Sequence, residues 1–127
     1  GYDPNGSGVF GQVTLMSGNC MPTTNHKKTI CTSSFVSRNI NVRRLASIDD
    51  SVSFAYFQFD DEPIASAVSD EQGMFSIDLE PGTYSVFVED DGKEYCNNFN
   101  IDGVACLVEV KEDLKTDLNI SIDKAVW

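Results

Sequence analysis

Apolar and polar residues alternate with a period of two through the stretch DEQGMFSIDLEPGTYSVFVED at residues 70–90. Phe75, Ile77 and Leu79 alternate with Ser76 and Asp78, and Tyr84, Val86 and Val88 with Ser85, Phe87 and Glu89. Successive side chains of a strand point to opposite faces, so each run predicts a half-buried strand. Pro81-Gly82 between them predicts a turn, because Pro presets φ and Gly tolerates positive φ. The two strands are therefore expected to pair as a hairpin. Asp70 to Gly73 predicts another tight turn after IASAVS, giving three consecutive antiparallel strands. Phe87 lies opposite Tyr84, so the second face of its strand is not purely polar.

The same reading extends along the chain. Strands are expected at 8–16, 39–47, 52–59, 94–99, 106–111 and 116–123. Gly11, inside the first, suggests a bulge or a close backbone approach. Asp91-Gly92 and Asp113 to Lys115 read as turns. The run VACLVEVKEDLK comes nearest to a helical repeat, but its β-branched residues and alternation favour a strand. Many short strands separated by turn signals predict a sandwich or barrel.

Composition narrows the picture. The 127 residues suit one domain, and a hydrophobic content of 41% supplies a core. The polar, turn-forming GYDPNGSG reads as a leader over 1–8, followed by one domain over 9–127. No apolar run approaches the roughly 18 residues a membrane-spanning helix needs. Nine basic against twenty acidic residues leave a net charge of −11. That excludes the basic footprint of nucleic-acid binding and disfavours an anionic membrane surface. It leaves solubility by self-repulsion, or a basic partner or cation, as readings.

The pattern G-x-V at Gly11 to Val13, G-x-x-x-P at Gly18 to Pro22, and D-x-x-G-x-F-x-I-x-L-x-P-G-x-Y-x-V-x-V from Asp70 to Val88 resembles the carboxypeptidase regulatory-like domain. The resemblance covers 64–90 most fully and 9–22 less so. Residues 23–62 depart from it and read as an insertion or extra strands. It implies an antiparallel, transthyretin-like (prealbumin-like) β-sandwich, expected here with seven to nine strands. Phe75, Ile77, Leu79, Tyr84, Val86 and Val88 are expected to face inward with Val13, Leu15, Leu118, Ile120 and Ile122. The resemblance further implies a non-catalytic accessory module, secreted or anchored to a bacterial envelope.

Catalytic chemistry finds little support. Enzymes related in architecture use several histidines, and this chain has only His26, in the polar loop TTNHKKT. No partners stand at metal spacing around it. The G-x-S-x-G nucleophile motif does not occur. The carboxylates Asp49-Asp50, Asp60-Asp61-Glu62 and Asp90-Asp91 fall at expected turns, and no EF-hand pattern organises them for Ca²⁺. No enzyme activity, metal or cofactor is expected.

Two features favour binding or covalent stabilisation. FAYFQF at 54–59 would put aromatic rings on both faces of one strand, offering Phe54, Tyr56, Phe57 and Phe59 as a surface for a protein or glycan, unless the strand is buried on both sides. Arg38, Arg43 and Arg44 form a small basic spot in an acidic chain. The four cysteines allow three pairings. Cys20–Cys31 would close the polar loop MPTTNHKKTI, and Cys96–Cys106 would join antiparallel neighbours across NNFNIDGVA. Both bridges imply an oxidising compartment. The expectation is an extracytoplasmic module of the periplasm or cell surface, its signal peptide removed and any lipid anchor upstream of this chain. Its role would be structural or protein-interacting, with a carbohydrate- or small-ligand-binding domain as the alternative.

Overall fold

The computed structural model of the chain describes residues 6–19 and 31–125. Twelve strand segments and a 3-10 turn at Ile48–Asp50 form the regular structure of those residues. They are β1 (Gly8–Gly18), β2 (Cys31–Phe35), β3 (Asn39–Arg43), β4 (Ser51–Ser53), β5 (Tyr56–Phe57) and β6 (Ala65–Val68), then β7 (Met74–Asp78), β8 (Gly82–Asp90), β9 (Lys93–Tyr95), β10 (Leu107–Val110), β11 (Lys115–Asp117) and β12 (Ile120–Asp123).

The segments make two sheets. In the first, β1 is central, with β7 and β2 antiparallel to it along one edge and β11 and β12 parallel to it along the other. The second runs β4-β5-β9-β8-β3-β6, and β10 also pairs with β8. The apolar faces oppose each other. Val9, Val13, Phe75, Ile77 and Ile122 of the first sheet share one buried cluster with Ile40, Val42, Val86, Val88 and Val108 of the second. The protein is an all-β sandwich, as the alternation predicts. Twelve segments replace the expected seven to nine because several strands are interrupted, and the pairing of β1 with β11 and β12 makes one sheet mixed rather than purely antiparallel.

The expected inward set lies on this core. Val13, Phe75, Ile77, Leu79, Val86, Val88 and Ile122 are buried, and Leu15, Tyr84, Leu118 and Ile120 pack against them half-buried. Local chemistry explains the strand starts. Asp70 Oδ1 accepts hydrogen bonds from the backbone N–H of Gln72 and of Met74, both at 2.9 Å. Gly73 takes φ +79°, and a Cβ there would stand 2.5 Å from the Val13 carbonyl oxygen. Asp91-Gly92, both at positive φ, close the β8–β9 hairpin as an Asp-Gly turn does.

Four expectations are corrected. The strands β7 and β8 do not pair as a hairpin: β7 pairs with β1, and β8 with β3, β9 and β10, so Pro81-Gly82 carries the chain from one sheet to the other. Alternation tells which side chains are buried, and in an arch those two apolar faces look at each other across the sandwich. The single strand expected at 52–59 is instead a tight turn between β4 and β5, with Ala55 at φ 62°. The strand at 116–123 is broken between β11 and β12. Ser7 and Gly8, placed in the expected leader, belong to the folded part, since Gly8 opens β1 and Ser7 O accepts from Leu79 N–H at 3.1 Å. The stretch 23–62, read as an insertion or extra strands, contributes β2 to β5 in its described part.

The break at 118–119 explains Gly11. A Cβ at Gly11 would lie 1.8 Å from the Leu118 carbonyl oxygen. Leu118 N–H donates to Phe10 O at 2.7 Å, and Asn119 Oδ1 accepts from Gln12 N–H at 3.1 Å, so the interruption is pinned to β1 on both sides. Gly11→Ala is expected to cost about 2 kcal/mol or more in denaturant unfolding, because backbone rather than a yielding side chain fills the space. A cost within experimental error of zero would show that the two backbones do not approach as described.

Candidate functional site

The unusual chemistry lies on the outer face of the second sheet. Along β8, Tyr84, Val86 and Val88 point into the sandwich, while Ser85, Phe87 and Glu89 point out. Phe87 is nevertheless 0% exposed. A second buried cluster covers it, made of Ala46, Phe57, Phe87, Cys96 and Ala105, with Phe59, Phe99 and Cys106 against it. The Phe57 and Phe87 centroids lie 5.0 Å apart, and Phe59 stacks on Phe57 at 5.8 Å. These spacings are those of favourable ring pairs.

The cover is a covalently closed excursion. Both β9 and β10 lie along the same edge of β8, β9 against residues 88–90 and β10 against 82–85. Between them the chain leaves that edge and returns. Cys96 and Cys106, ten positions apart, are joined by a disulfide with a Cα–Cα distance of 6.1 Å. The expected pairing is present, but its geometry differs: the two cysteines flank a gap along one neighbouring strand and do not face each other from paired strands. Asn100 shapes the excursion by accepting from Asp102 N–H and Val104 N–H, both at 2.9 Å. Ala105 N–H donates to Ala46 O, and Ile48 N–H to Gly103 O, both at 2.8 Å, so the excursion is laid against residues 46–48. The other expected pairing, Cys20–Cys31, involves Cys20, which lies outside the described residues, as does His26.

Beside the rings sits a buried ion pair. Arg43 Nε donates to Glu94 Oε1 at 2.7 Å and Nη2 to Glu94 Oε2 at 2.9 Å, a bidentate arrangement. Arg43 Nη1 donates to Asp61 O at 3.0 Å and approaches Asp61 Oδ1 at 3.2 Å, and the guanidinium lies 4.4 Å from the Phe59 centroid. Asn41 Nδ2 donates to Glu94 Oε1 at 3.2 Å and to Glu89 Oε1 at 3.1 Å. Every buried side-chain nitrogen and oxygen among the described residues has a hydrogen-bond partner.

A third cluster ties the two sheets together at one end. Tyr56 Oη donates to Asp90 Oδ2 at 3.0 Å, and Lys124 Nζ lies 3.0 Å from carboxylate oxygens of both Asp90 and Asp91. Burial, then the hydrogen bond and charge of Asp90, push the Tyr56 hydroxyl up to about 12. Its bonds to Asp91 and Asp90 raise Lys124 above the usual lysine range.

The four aromatic residues expected as a surface are thus separated. Phe54 is 81% exposed at the β4–β5 turn. Tyr56 faces the sandwich, packed edge-on against Tyr95 at 5.4 Å. Phe57 is fully buried and Phe59 half-buried under Arg43. At least one member of each acidic group has a structural partner: Asp50 Oδ2 accepts Ser47 N–H in a capping box, Asp61 meets Arg43, and Asp90 and Asp91 hold Lys124. Of the basic spot, Arg43 is buried and Arg44 exposed. Among the described residues no group of three or more His, Cys, Asp or Glu side chains is placed to hold a metal ion, and no helix is long and apolar enough to cross a membrane.

A crevice of about 380 Å³ opens where the gap between β9 and β10 faces the break between β11 and β12, with Tyr95 and Val86 on one side and Leu118 and Ile120 on the other. No protein-family model matches the chain, and no curated protein matches it by sequence.

Sequence reasoning missed the Arg43–Glu94 pair, since the two residues are 51 positions apart and only the sheet brings them together. Glu94→Ala would strand the Arg43 guanidinium in a buried site and is expected to cost about 3–5 kcal/mol in chemical denaturation. Replacing both residues by Leu should cost clearly less than that single change. Equal costs for the single and double variants would contradict a desolvated pair.

Tyr56 and Lys124 give a pH dependence of fixed sign. A group whose pKa is higher folded than unfolded contributes its stability in full below the unfolded value and loses it as pH climbs to the folded one. For Tyr56 that window runs from its ordinary 10.0 to about 12, and for Lys124 it begins at the ordinary 10.5. Unfolding free energy is therefore expected to be level from neutrality to about pH 9 and to fall beyond pH 10, with a shallower fall in Tyr56→Phe. An unchanged alkaline slope in that variant would exclude Tyr56 as its source.

Proposed function

We propose that the protein is a non-catalytic, extracytoplasmic β-sandwich module with a structural or protein-interaction role in the cell envelope. The Cys96–Cys106 disulfide carries this reading. Disulfides persist in oxidising compartments and are rare where glutathione keeps thiols reduced. The bridge closes the cover over the Phe57 and Phe87 rings, so it belongs to the fold rather than to the surface. The ordering of carboxylates supports the same reading, because Glu94, Asp61, Asp90 and Asp91 are engaged in ion pairs that hold elements together. The resemblance of residues 64–90 to the carboxypeptidase regulatory-like domain points to such modules too, and with it to a transthyretin-like topology. The alternative of a glycan-binding aromatic strand at 54–59 keeps only Phe54 as a well-exposed ring.

Fractionation of the native cells, with thiol mapping of the protein in each fraction, tests the proposal. The protein should appear with the envelope or outside the cell, and Cys96 and Cys106 should alkylate only after reduction. A cytosolic protein whose cysteines alkylate before reduction would overturn it.

A further inference from the structure

We propose that the crevice between the interrupted edges of the two sheets binds a neutral saccharide. The inference goes beyond the module reading and does not depend on it, since a non-catalytic role is compatible with a bound ligand or with none. The crevice is a product of specific devices. On one side the second sheet parts where β9 ends and β10 begins, and the Cys96–Cys106 bridge fixes the two rims of that gap. Cys106 adopts φ 43°, a conformation that side-chain-bearing residues rarely take. Opposite it, the first sheet is broken at Leu118 and Asn119, and the absence of a Cβ at Gly11 admits that break. Uninterrupted strands would have sealed the space. Backbone irregularity of this kind, held in place by its surroundings, is concentrated at functional positions.

The lining decides the ligand class. In a chain of net charge −11, this crevice has, among the described residues, a single carboxylate, Asp123, and no basic side chain. Asp123 Oδ1 accepts from Ala125 N–H at 3.0 Å. The rest of the polar lining is uncharged: the amides of Asn97, Asn98 and Asn119 and the hydroxyls of Tyr95 and Ser121, with Tyr95 Oη accepting from Asp123 N–H at 3.2 Å and Asn119 Oδ1 from Gln12 N–H at 3.1 Å. The side chains of Asn97, Asn98 and Ser121 are exposed and make no hydrogen bond among the described residues. Amide and hydroxyl groups donate and accept at once, as the hydroxyls of a sugar require. Leu107, Leu118 and Ile120 supply apolar surface for the C–H faces of a ring. An anionic ligand would find no cation among the described residues of this lining. A volume of about 380 Å³ lies within the range of small-ligand pockets, which run from roughly 300 to 1,000 Å³.

The test is a printed array of neutral gluco-, manno-, galacto- and xylo-oligosaccharides beside uronic-acid, sialylated and sulfated ones. It is followed by amide chemical-shift titration of the whole chain with whatever binds. Neutral oligosaccharides should bind and move the resonances of Asn97, Asn98, Asn119 and Ser121. Asn97→Ala and Ser121→Ala should each weaken binding about three- to tenfold, the worth of one hydrogen bond, with the dispersed amide spectrum of the folded protein kept. Three results would each overturn the proposal: no neutral saccharide binding at millimolar concentration, binding restricted to charged glycans, or shifts centred on Phe54 and the β4–β5 turn. None of these would bear on where the protein resides in the cell, so failure here is distinguishable from failure of the envelope reading.

Discussion

Strand β8 must share one of its edges between two partners, and the disulfide between Cys96 and Cys106 is what makes that arrangement hold. The chain leaves the edge after β9, crosses the outer face of the sheet, and rejoins the edge at β10. Without a constraint the excursion would be an ordinary surface loop with its own closure entropy. With the bridge, a loop of about ten residues is closed in the unfolded state as well, worth roughly 2.7 kcal/mol in the chain-entropy model. The excursion is thereby held over Phe57 and Phe87, which would otherwise be large rings on a solvent-facing sheet. Burying one such side chain contributes about 1.5–3 kcal/mol.

Several other features follow from that cover. A sheet buried on one face can leave polar side chains in water on the other, but here the outer face is partly enclosed. Asn41, Arg43 and Glu94 are consequently buried and must satisfy one another, as their fork of hydrogen bonds does. Arg43 suits this place better than Lys would, since its planar fork pairs bidentately with Glu94 and stacks over Phe59. The inner face has its own tie, where Asp90 receives both Tyr56 from the second sheet and Lys124 just beyond the end of β12. Surplus acidity therefore resides mostly outside these clusters, on turns such as Asp49, Asp60 and Glu62.

Much of this was written in the alternation. Phe75, Ile77, Leu79, Val86 and Val88 declare their buried face by period alone, and Asp91-Gly92 declares its turn by composition. Gly11 announced a close approach without naming its partner, the Leu118 carbonyl. Pairing was less legible, because the same two alternating strands satisfy a hairpin or an arch, and only the position of β1 decides for the arch. The stretch FAYFQF misled for a different reason. Ala is not a residue that signals positive φ, yet Ala55 adopts it and reverses the chain, so Phe54 and Phe57 part company. Phe87, anomalous on an outward position, was the one local hint of a second buried cluster. Nothing near Glu94 in sequence hints at Arg43, and nothing near Leu118 hints at the crevice.

Native-state hydrogen exchange on the protein with Cys96 and Cys106 both changed to Ala tests the central role of the bridge most directly. The amides of Ala105, Ile48 and Cys106 bond to Ala46, Gly103 and Asn98, so they report whether the excursion stays on the sheet. The account predicts that these amides lose protection by a factor of ten or more, about 1.4 kcal/mol, while amides of β1 and β3 keep most of theirs. Unchanged protection at Ala105 and Ile48 in a protein lacking the disulfide would show that the cover over Phe57 and Phe87 holds without it, and would contradict the account.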